Sequence, residues 1–485
     1  VHVVHLAAEA TPWAKTGGLG DVVGALPAAL ARAGVRTTVC IPGHRSVMRA
    51  VDPRATPAHV VVPISSRTEG ARVVALRDAP IPTMAVDAPR YFDRAELYGE
   101  GGRDYADNAE RFVFFCRAAL EWLGAAGEAP DVVHVHDWQA ALAPVFLRAD
   151  AGRYPALART RSVCTVHNLA YQGRFWAPDW HLLSLDGRFF HPDHLEFYGD
   201  INFLKGGIVF ADVVTTVSPR YADEIRTPAF GELLDGVLRA RGPDVRGILN
   251  GIDTAVWNPA TDPALAARYD RADPRAKARC KAALQAEVGL AERSDVPLLA
   301  TITRLAAQKG VDLLLDVAGE LLPATDAQLV VLGSGDPALE RALGELRDRF
   351  PGRVALRLGF DDPLAHRIEA GSDAFLMPSR YEPCGLSQLY SQRYGTVPIV
   401  HATGGLVDTV ADYDAATGRG TGFVFAPFTR DAFLAAIHRA LEVWRDRPRW
   451  NALVEQGMAM DFSWDRSAAR YRALYEEIAG RPSRG

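Results

Sequence analysis

Three cations in this chain stand where an anion could be gripped. Lys15 opens K-T-G-G-L-G-D-V over 15–22, and T-R-L-A-A-Q-K-G over 303–310 carries Arg304 and Lys309. Glycines let backbone N–H groups come close to a phosphate, and the start of a helix favours negative charge. A guanidinium offers phosphate oxygens a fork, and an ammonium offers a mobile point charge. The chemistry these residue types share is the holding of a diphosphate. Further strings bring hydrogen-bonding groups. H-D-W-Q over 136–139 supplies Asp137, and T-V-H-N-L-A-Y-Q-G over 165–173 supplies His167. Both end strand-like runs, where polar side chains are placed to reach sugar hydroxyls. In R-Y-E-P-C-G-L-S-Q-L-Y over 380–390, Glu382 precedes Pro383. That makes it extended and turns it away from the helix expected to start over Gly385 to Ser387. A carboxylate among phosphate sites is suited to reading a hydroxyl. T-G-G-L-V-D-T-V over 403–410 is another glycine-rich loop before a helix.

A nicotinamide-dependent enzyme would carry G-x-G-x-x-G and an acidic residue about 20 positions on. Here Gly18 and Gly20 are followed by Gly24, one residue late, and the second strand-like run ends on Ile41, Pro42 and Gly43 with no carboxylate for a ribose. The P-loop string G-x-x-x-x-G-K-[ST] is absent too.

These residues need a scaffold that ends several strands on one side. Val1 to Ala8, Val35 to Ile41, Val132 to His136, Ser162 to His167 and Val213 to Val217 read as strands, with a helix over Asp21 to Ala33 ended by Gly34. The pattern restarts with strands over Val296 to Thr303, Gln328 to Leu332, Val354 to Leu358, Ala374 to Pro378 and Val397 to Val400, and a helix over Val311 to Leu322. Alternating β and α segments predict parallel sheets covered by helices on both faces. The Pro-, Asp- and Ala-rich stretch from Trp257 through about Pro274 reads as a linker. Two doubly wound α/β domains result, and a helical pattern over Arg466 to Ile478 closes the chain. Ligands of such sheets bind outside the carboxyl ends of the strands. With two domains the expected site is the cleft between them. Two segments look irregular: Arg67 to Gly102, rich in proline and glycine, and Gly173 to Gly199, which holds Trp176, Trp180, Phe189, Phe190, Phe197 and Tyr198. Those aromatics are expected mainly to pack, with stacking on sugar rings as the other role.

Of the 485 residues, 48% are hydrophobic and 23% charged, the balance of an ordinary globular protein. A net charge of −5 gives no global basic field for nucleic acid. No run of about 18 apolar residues predicts a membrane helix. The chain opens on a strand-like run without the features of a signal peptide. Cys40, Cys116, Cys164, Cys280 and Cys384 are scattered, so buried reduced thiols are expected, not a zinc site or a disulfide framework. A cytoplasmic protein is the expectation, although a cleaved plastid transit peptide would leave no trace.

Nine strings in order carry a family resemblance: K-T-G-G-L-G-D-V, D-Y-A-D-N-A-E-R-F, H-D-W-Q, T-V-H-N-L-A-Y-Q-G, N-F-L-K-G-G-I, V-T-T-V-S-P, I-L-N-G-I-D, Q-K-G-V-D and Y-E-P-C-G-L-S-Q-L-Y. From Val3 to about Tyr475 the chain resembles bacterial glycogen synthase and plant starch synthase, glycosyltransferase family 5. The resemblance implies the GT-B fold, two Rossmann-like domains facing each other across a cleft. An acceptor-side domain over 1–258 would be joined by a 465–485 helix crossing back, and 259–464 would form the donor nucleotide-sugar domain. It also implies transfer of glucose from ADP-glucose to the non-reducing 4-hydroxyl of an α-1,4-glucan or maltooligosaccharide. Configuration would be retained, with no cofactor and no metal.

By matching position, Arg304, Lys309 and Lys15 would hold the diphosphate, and Asp137, His167, Asn168 and Glu382 would line the glucose. Gly18 and the Gly385–Leu386 backbone would touch donor oxygens, and Tyr98 would lie on the acceptor side. Gly17, Asp21, Asn250, Tyr381, Cys384 and Thr403 complete the expected substrate-binding set. The family mechanism is front-face attack, in which the leaving phosphate helps take the acceptor proton and the His167 region stabilises the positive sugar. It needs no pair of carboxylates flanking the bond, unlike a retaining hydrolase. A related retaining family has Glu at both ends of an E-x7-E string, whereas Glu382 is followed at that spacing by Tyr390. Ala306, Ala307, His401 and Ala402 replace residues that are more often polar or Arg. A UDP-glucose-using or short-maltoside-forming α-glucosyltransferase is the alternative reading.

Overall fold

The computed structural model describes residues 1–480. The chain divides into two compact units: Val1–Gly251 with the chain from Trp464 on, and Ile252–Ser463. The first boundary therefore falls at Gly251, ahead of the residue 258 expected from sequence. The reason is that 257–274 packs onto the second unit and is no free linker. Trp257 stacks between His366 and Tyr390, with ring centroids 3.8 and 3.7 Å away, and Asp262 and Tyr269 are buried. The aspartates that give the stretch its linker-like composition close turns, Asp262 accepting from Ala264 N and Asp270 from Ala272 N.

In the first unit, β1 (His2–Leu6), β2 (Arg36–Pro42), β3 (Ala58–Ile64), β4 (Arg67–Ala75), β5 (Thr83–Asp87), β6 (Val132–His136), β7 (Arg161–Val166), β8 (Val213–Thr216) and β9 (Val245–Gly247) form one sheet. Their order is β9-β8-β7-β6-β1-β2-β5-β4-β3. β4 runs antiparallel to both its neighbours, and the remaining pairs are parallel. β6 and β7 are buried along their whole length, as strands covered on both faces must be. From β1 the chain winds out through β2 and then returns to start β6 on the other side. That reversal between β1 and β6 is where doubly wound sheets leave a crevice at their carboxyl ends.

The helix Gly18–Arg32 buries Leu19, Val22, Val23, Leu26 and Leu30, the spacing of one helical face. Beside it packs the last helix, Trp464–Ala479. Tyr471, Leu474, Tyr475 and Ile478 share one apolar cluster with Val3, Val22, Leu26, Val132 and Val163. Each such fully buried side chain is worth roughly 1.5–3 kcal/mol over its exposed state. The terminal helix is thus part of the first unit's core.

Two expectations of irregularity need correction. β3 and β4 make an antiparallel hairpin through Ser65, whose φ is 55°, and β5 pairs in parallel with β2. Arg67, Thr68 and Arg72 obscure the strand signal because they face solvent near the sheet edge. Within 173–199, Arg174–Phe175 and Glu196–Phe197 pair with Asp200–Asn202 in a short antiparallel sheet. Phe189 and Phe197 are buried there, while Trp176 and Tyr198 are exposed.

In the second unit, β10 (Leu298–Ile302), β11 (Gln328–Gly333), β12 (Val354–Leu358), β13 (Ala374–Met377), β14 (Val397–His401) and β15 (Phe423–Phe425) are all parallel, in the order β12-β11-β10-β13-β14-β15. The strand order reverses between β10 and β13. The loops carrying Arg304 and Glu382 leave these two strands.

Candidate active site

At the first unit's switch point the loops after β1 and β6 emerge side by side. Glu9, a lone carboxylate just past β1 and outside every motif of the chain, organises the first of them. Its Oε2 accepts from Thr16 N at 2.6 Å and Gly17 N at 3.3 Å, and its Oε1 accepts from Thr16 Oγ1 at 2.7 Å and Tyr98 OH at 2.6 Å. A carboxylate therefore already takes two of the loop amides that a phosphate would use. Gly17 and Gly18 have open space where a Cβ would stand, and neither has a positive φ. The fold itself does not require glycine at either position. Gly24 is different: a Cβ there would lie 2.0 Å from Thr11 Oγ1, so its place in the loop motif reflects packing. Lys15 Nζ rests on Asp21 Oδ1 at 2.7 Å.

Tyr98 reaches Glu9 from a separate loop held by the buried Arg111. That guanidinium donates to Tyr91 O, Asn108 Oδ1 and Leu97 O, and Asn108 Nδ2 donates to Tyr98 O. The D-Y-A-D-N-A-E-R-F string is thereby explained as a clamp that presents Tyr98. Burial and the Glu9 charge push the Tyr98 hydroxyl well above its usual range.

Asp137 directly follows β6 in a left-handed conformation, φ 55°. Such strain costs about 1–3 kcal/mol and gathers at functional sites. Its Oδ1 accepts from His167 N at 2.7 Å, tying the end of β6 to the end of β7. Burial pushes its carboxyl up to about 7, against the pull of that backbone donor. His167 Nε2 lies 3.0 Å from His136 Nδ1, and burial lowers its pKa to about 3, so the ring is neutral at physiological pH. Asn168 turns inward on its own loop, its Oδ1 accepting from Ala170 N. Asn250 lies just past the edge strand β9, apart from these residues in the sheet order.

In the second unit, Lys309 Nζ sits 2.7 Å from Glu382 Oε2, which also accepts from Ser379 Oγ at 2.9 Å. Glu382 is only 5% exposed. Arg304 donates to Gln308 Oε1 at 3.0 Å, and Gln308 Nε2 donates to Tyr381 O at 3.2 Å. One glutamine thus joins the loops after β10 and β13. Gly310 makes the close approach workable: its φ is 67°, and a Cβ there would meet Pro378 O at 1.8 Å. The loop beginning at Thr403 locks onto the Glu382 loop, with Gly405 N donating to Glu382 O at 3.0 Å and a Gly405 Cβ position 2.1 Å from Cys384 O. Gly385 has φ 72°, and Gln388 Nε2 donates to the carbonyls of both Cys384 and Gly385. Leu386 precedes the helix Ser387–Arg393. His401 Nδ1 pairs with Ser379 O at 2.8 Å, which gives that departure a local structural role. Tyr390 is spent on Trp257.

Among the described residues the expected set thus gathers at two places. Lys15, Gly17, Gly18, Asp21, Tyr98, Asp137, His167 and Asn168 surround the first switch point. Arg304, Lys309, Tyr381, Glu382, Cys384, Gly385, Leu386 and Thr403 surround the second. All five cysteines are buried thiols outside any disulfide.

Comparison with known proteins agrees with this architecture. Residues 2–240 match the starch synthase catalytic domain family, and 286–456 match glycosyl transferases group 1. A glycogen synthase of Anaeromyxobacter dehalogenans (strain 2CP-C) is 52% identical over 481 residues, covering 99% of this chain and 100% of its own. One from Koribacter versatilis (strain Ellin345) is 46% identical and covers 98% of both chains. The catalytic domain of starch synthase IV from Arabidopsis thaliana, solved with ADP and acarbose, superposes with a TM-score of 0.89 at 37% identity and 99% coverage of both chains. A sucrose-phosphate synthase from Thermosynechococcus elongatus shares the fold, with a TM-score of 0.61 at 17% identity over 99% of both chains.

Two Rossmann-like units with their polar groups at the switch points define a glycosyltransferase of the GT-B class. The chain belongs to the family of bacterial glycogen synthases and plant starch synthases, and glucan synthesis is its activity.

Proposed function

We propose that the enzyme transfers glucose from ADP-glucose to the non-reducing 4-hydroxyl of an α-1,4-glucan, with retention of configuration and without a cofactor or metal. The observation that carries this reading is the Lys309–Glu382–Ser379 cluster beside Arg304 at the second switch point. It sets cations suited to a diphosphate against a buried carboxylate suited to a sugar hydroxyl. The Arabidopsis starch synthase, similar over the whole chain, binds ADP and acarbose, a match to the proposed donor product and acceptor.

Arg304 and Lys309 stabilise the charge that builds on the departing ADP, the kind of preorganised electrostatics that supplies much of a catalytic effect. For Lys309 to do so, the diphosphate must share or take over the place of Glu382, which leaves Glu382 free to accept from a glucose hydroxyl. Lys15 is released from Asp21 in the same way. Neutral His167 and Asp137 line the sugar, and the open space over Gly17 and Gly18 admits donor oxygens. The leaving phosphate takes the acceptor proton. The proposed location is the cytoplasm, in keeping with the bacterial relatives.

Initial rates of maltooligosaccharide extension with ADP-glucose and UDP-glucose test the reading. Faster extension with ADP-glucose is expected. Preference for UDP-glucose, or a product that stops at one added residue, favours the alternative transferase.

A further inference from the structure

Behind His167 lies a line of imidazoles that the reaction as described does not use. His136 Nδ1 meets His167 Nε2 at 3.0 Å, and His136 Nε2 meets His5 Nδ1 at 3.1 Å. His5 and His136 are fully buried. His5 Nε2 is buried without a hydrogen-bond partner among the described residues. His134 stands beside them but is committed elsewhere, through Nδ1 to Tyr475 OH at 2.7 Å and through Nε2 to Thr165 Oγ1 at 2.5 Å.

Burial holds His5 and His136 neutral, His5 down at about 3. Three neutral rings joined by two bonds have only two proton arrangements. If His136 carries its proton on Nδ1, it donates to His167 Nε2, and His167 keeps its own proton on Nδ1. His5 then donates from Nδ1, and its buried Nε2 is a bare lone pair. If His136 carries its proton on Nε2, every bond reverses, and His5 is left with a buried N–H that has no acceptor. Orphaned buried donors are the rarer and costlier defect. The first arrangement therefore wins.

We infer that His5 and His136 are positioning residues that lock His167 in the tautomer with its proton on Nδ1, presenting a hydrogen-bond donor to the substrate side. The inference rests on the reading of His167 as a glucose-lining residue. His5, His134 and His136 each bring a nitrogen within 4.8 Å of the others, a spacing that would also suit a metal ion. With every nitrogen but His5 Nε2 already hydrogen-bonded, the group offers one free lone pair, too few for a tetrahedral ion.

The test is the 15N spectrum of the imidazoles in enzyme labelled at histidine, with His167 assigned through its loss in His167→Ala. The wild-type protein is expected to show His167 protonated at Nδ1 and bare at Nε2. His5→Asp sets an acceptor-only carboxylate near the position of Nδ1, which takes the His136 proton on Nε2 and reverses both bonds, so the His167 proton should move to Nε2. kcat should fall on the order of tenfold, the scale seen when a partner of a functional imidazole is lost, with KM for ADP-glucose within about twofold of the wild-type value. His5→Asn, of the same shape as Asp, sets an amide N–H near the position of Nδ1 and should keep both the wild-type tautomer and kcat. A wild-type His167 protonated at Nε2 overturns the inference, as does a His5→Asp enzyme with unchanged tautomer and kcat. If His5→Asp does not fold, the wild-type spectrum and His5→Asn decide. The tautomer is read without turnover, so its failure is distinct from a failure of the proposed activity.

Discussion

Both lysines expected to grip phosphate lie on carboxylates, Lys15 on Asp21 and Lys309 on Glu382. The Lys309 pair is the more sheltered, with side chains 21% and 7% exposed. Lys309→Ala should lower kcat/KM by on the order of 3 kcal/mol, the usual cost of losing one preorganised charge partner in a transition state. Steady-state kinetics with ADP-glucose would show it, and a near-normal value would remove Lys309 from the phosphate site. Asp137 makes a prediction about pH. Its folded pKa of about 7 lies above that of an unfolded aspartate. Between about pH 4 and pH 7 the native state then binds more protons, and this group's contribution to stability falls as pH rises. The neutral histidines 5, 136 and 167, with lowered pKa values, act in the opposite sense at low pH. They are common to both proteins, so the difference between wild type and Asp137→Asn isolates the carboxyl. The Asn variant should gain Tm relative to wild type on going from pH 5 to pH 8. An unchanged difference would place the Asp137 pKa in the normal range.

At the scale of the elements, glycine divides into two kinds. Gly310 has φ 67° and no room for a Cβ against Pro378 O, so Gly310→Ala should lower Tm and shift the Lys309 loop. Gly18 has open space and no positive φ. Gly18→Ala should leave Tm within about a degree of wild type while raising KM for ADP-glucose, because any loss must come from the ligand side. Loss of stability in Gly18→Ala, as measured by calorimetry, would contradict that reading. The sequence made the switch-point loops readable because a buried parallel strand, a glycine loop and a helix follow one another in a local pattern. Glu9 was not readable. Its role depends on Tyr98 arriving from a loop 89 residues away, and a lone Glu at a strand end has no local signature. The hairpin of β3 and β4 was hidden by solvent-facing arginines. Trp257 looked like part of a linker because its partners, His366 and Tyr390, lie more than a hundred residues on.

For the molecule as a whole, the first unit is completed by the last helix in the chain. Tyr475 OH serves His134 Nδ1 at 2.7 Å inside a core cluster. Tyr475→Phe should cost about 1–3 kcal/mol, because it leaves a buried polar group unpaired. Denaturant unfolding would register that loss, and an unchanged midpoint would mean that His134 finds another partner. The two passages of the chain between the units lie together, Ile252 N donating to Phe462 O at 2.8 Å, so the return to the first unit starts beside the exit from it. The glycosidic bond that is made defines the activity. Proton NMR of a maltooligosaccharide incubated with the enzyme and ADP-glucose follows it directly. The α-1,4 anomeric signal is expected to grow in step with release of ADP. A β-anomeric product, or ADP released without chain growth, would contradict it.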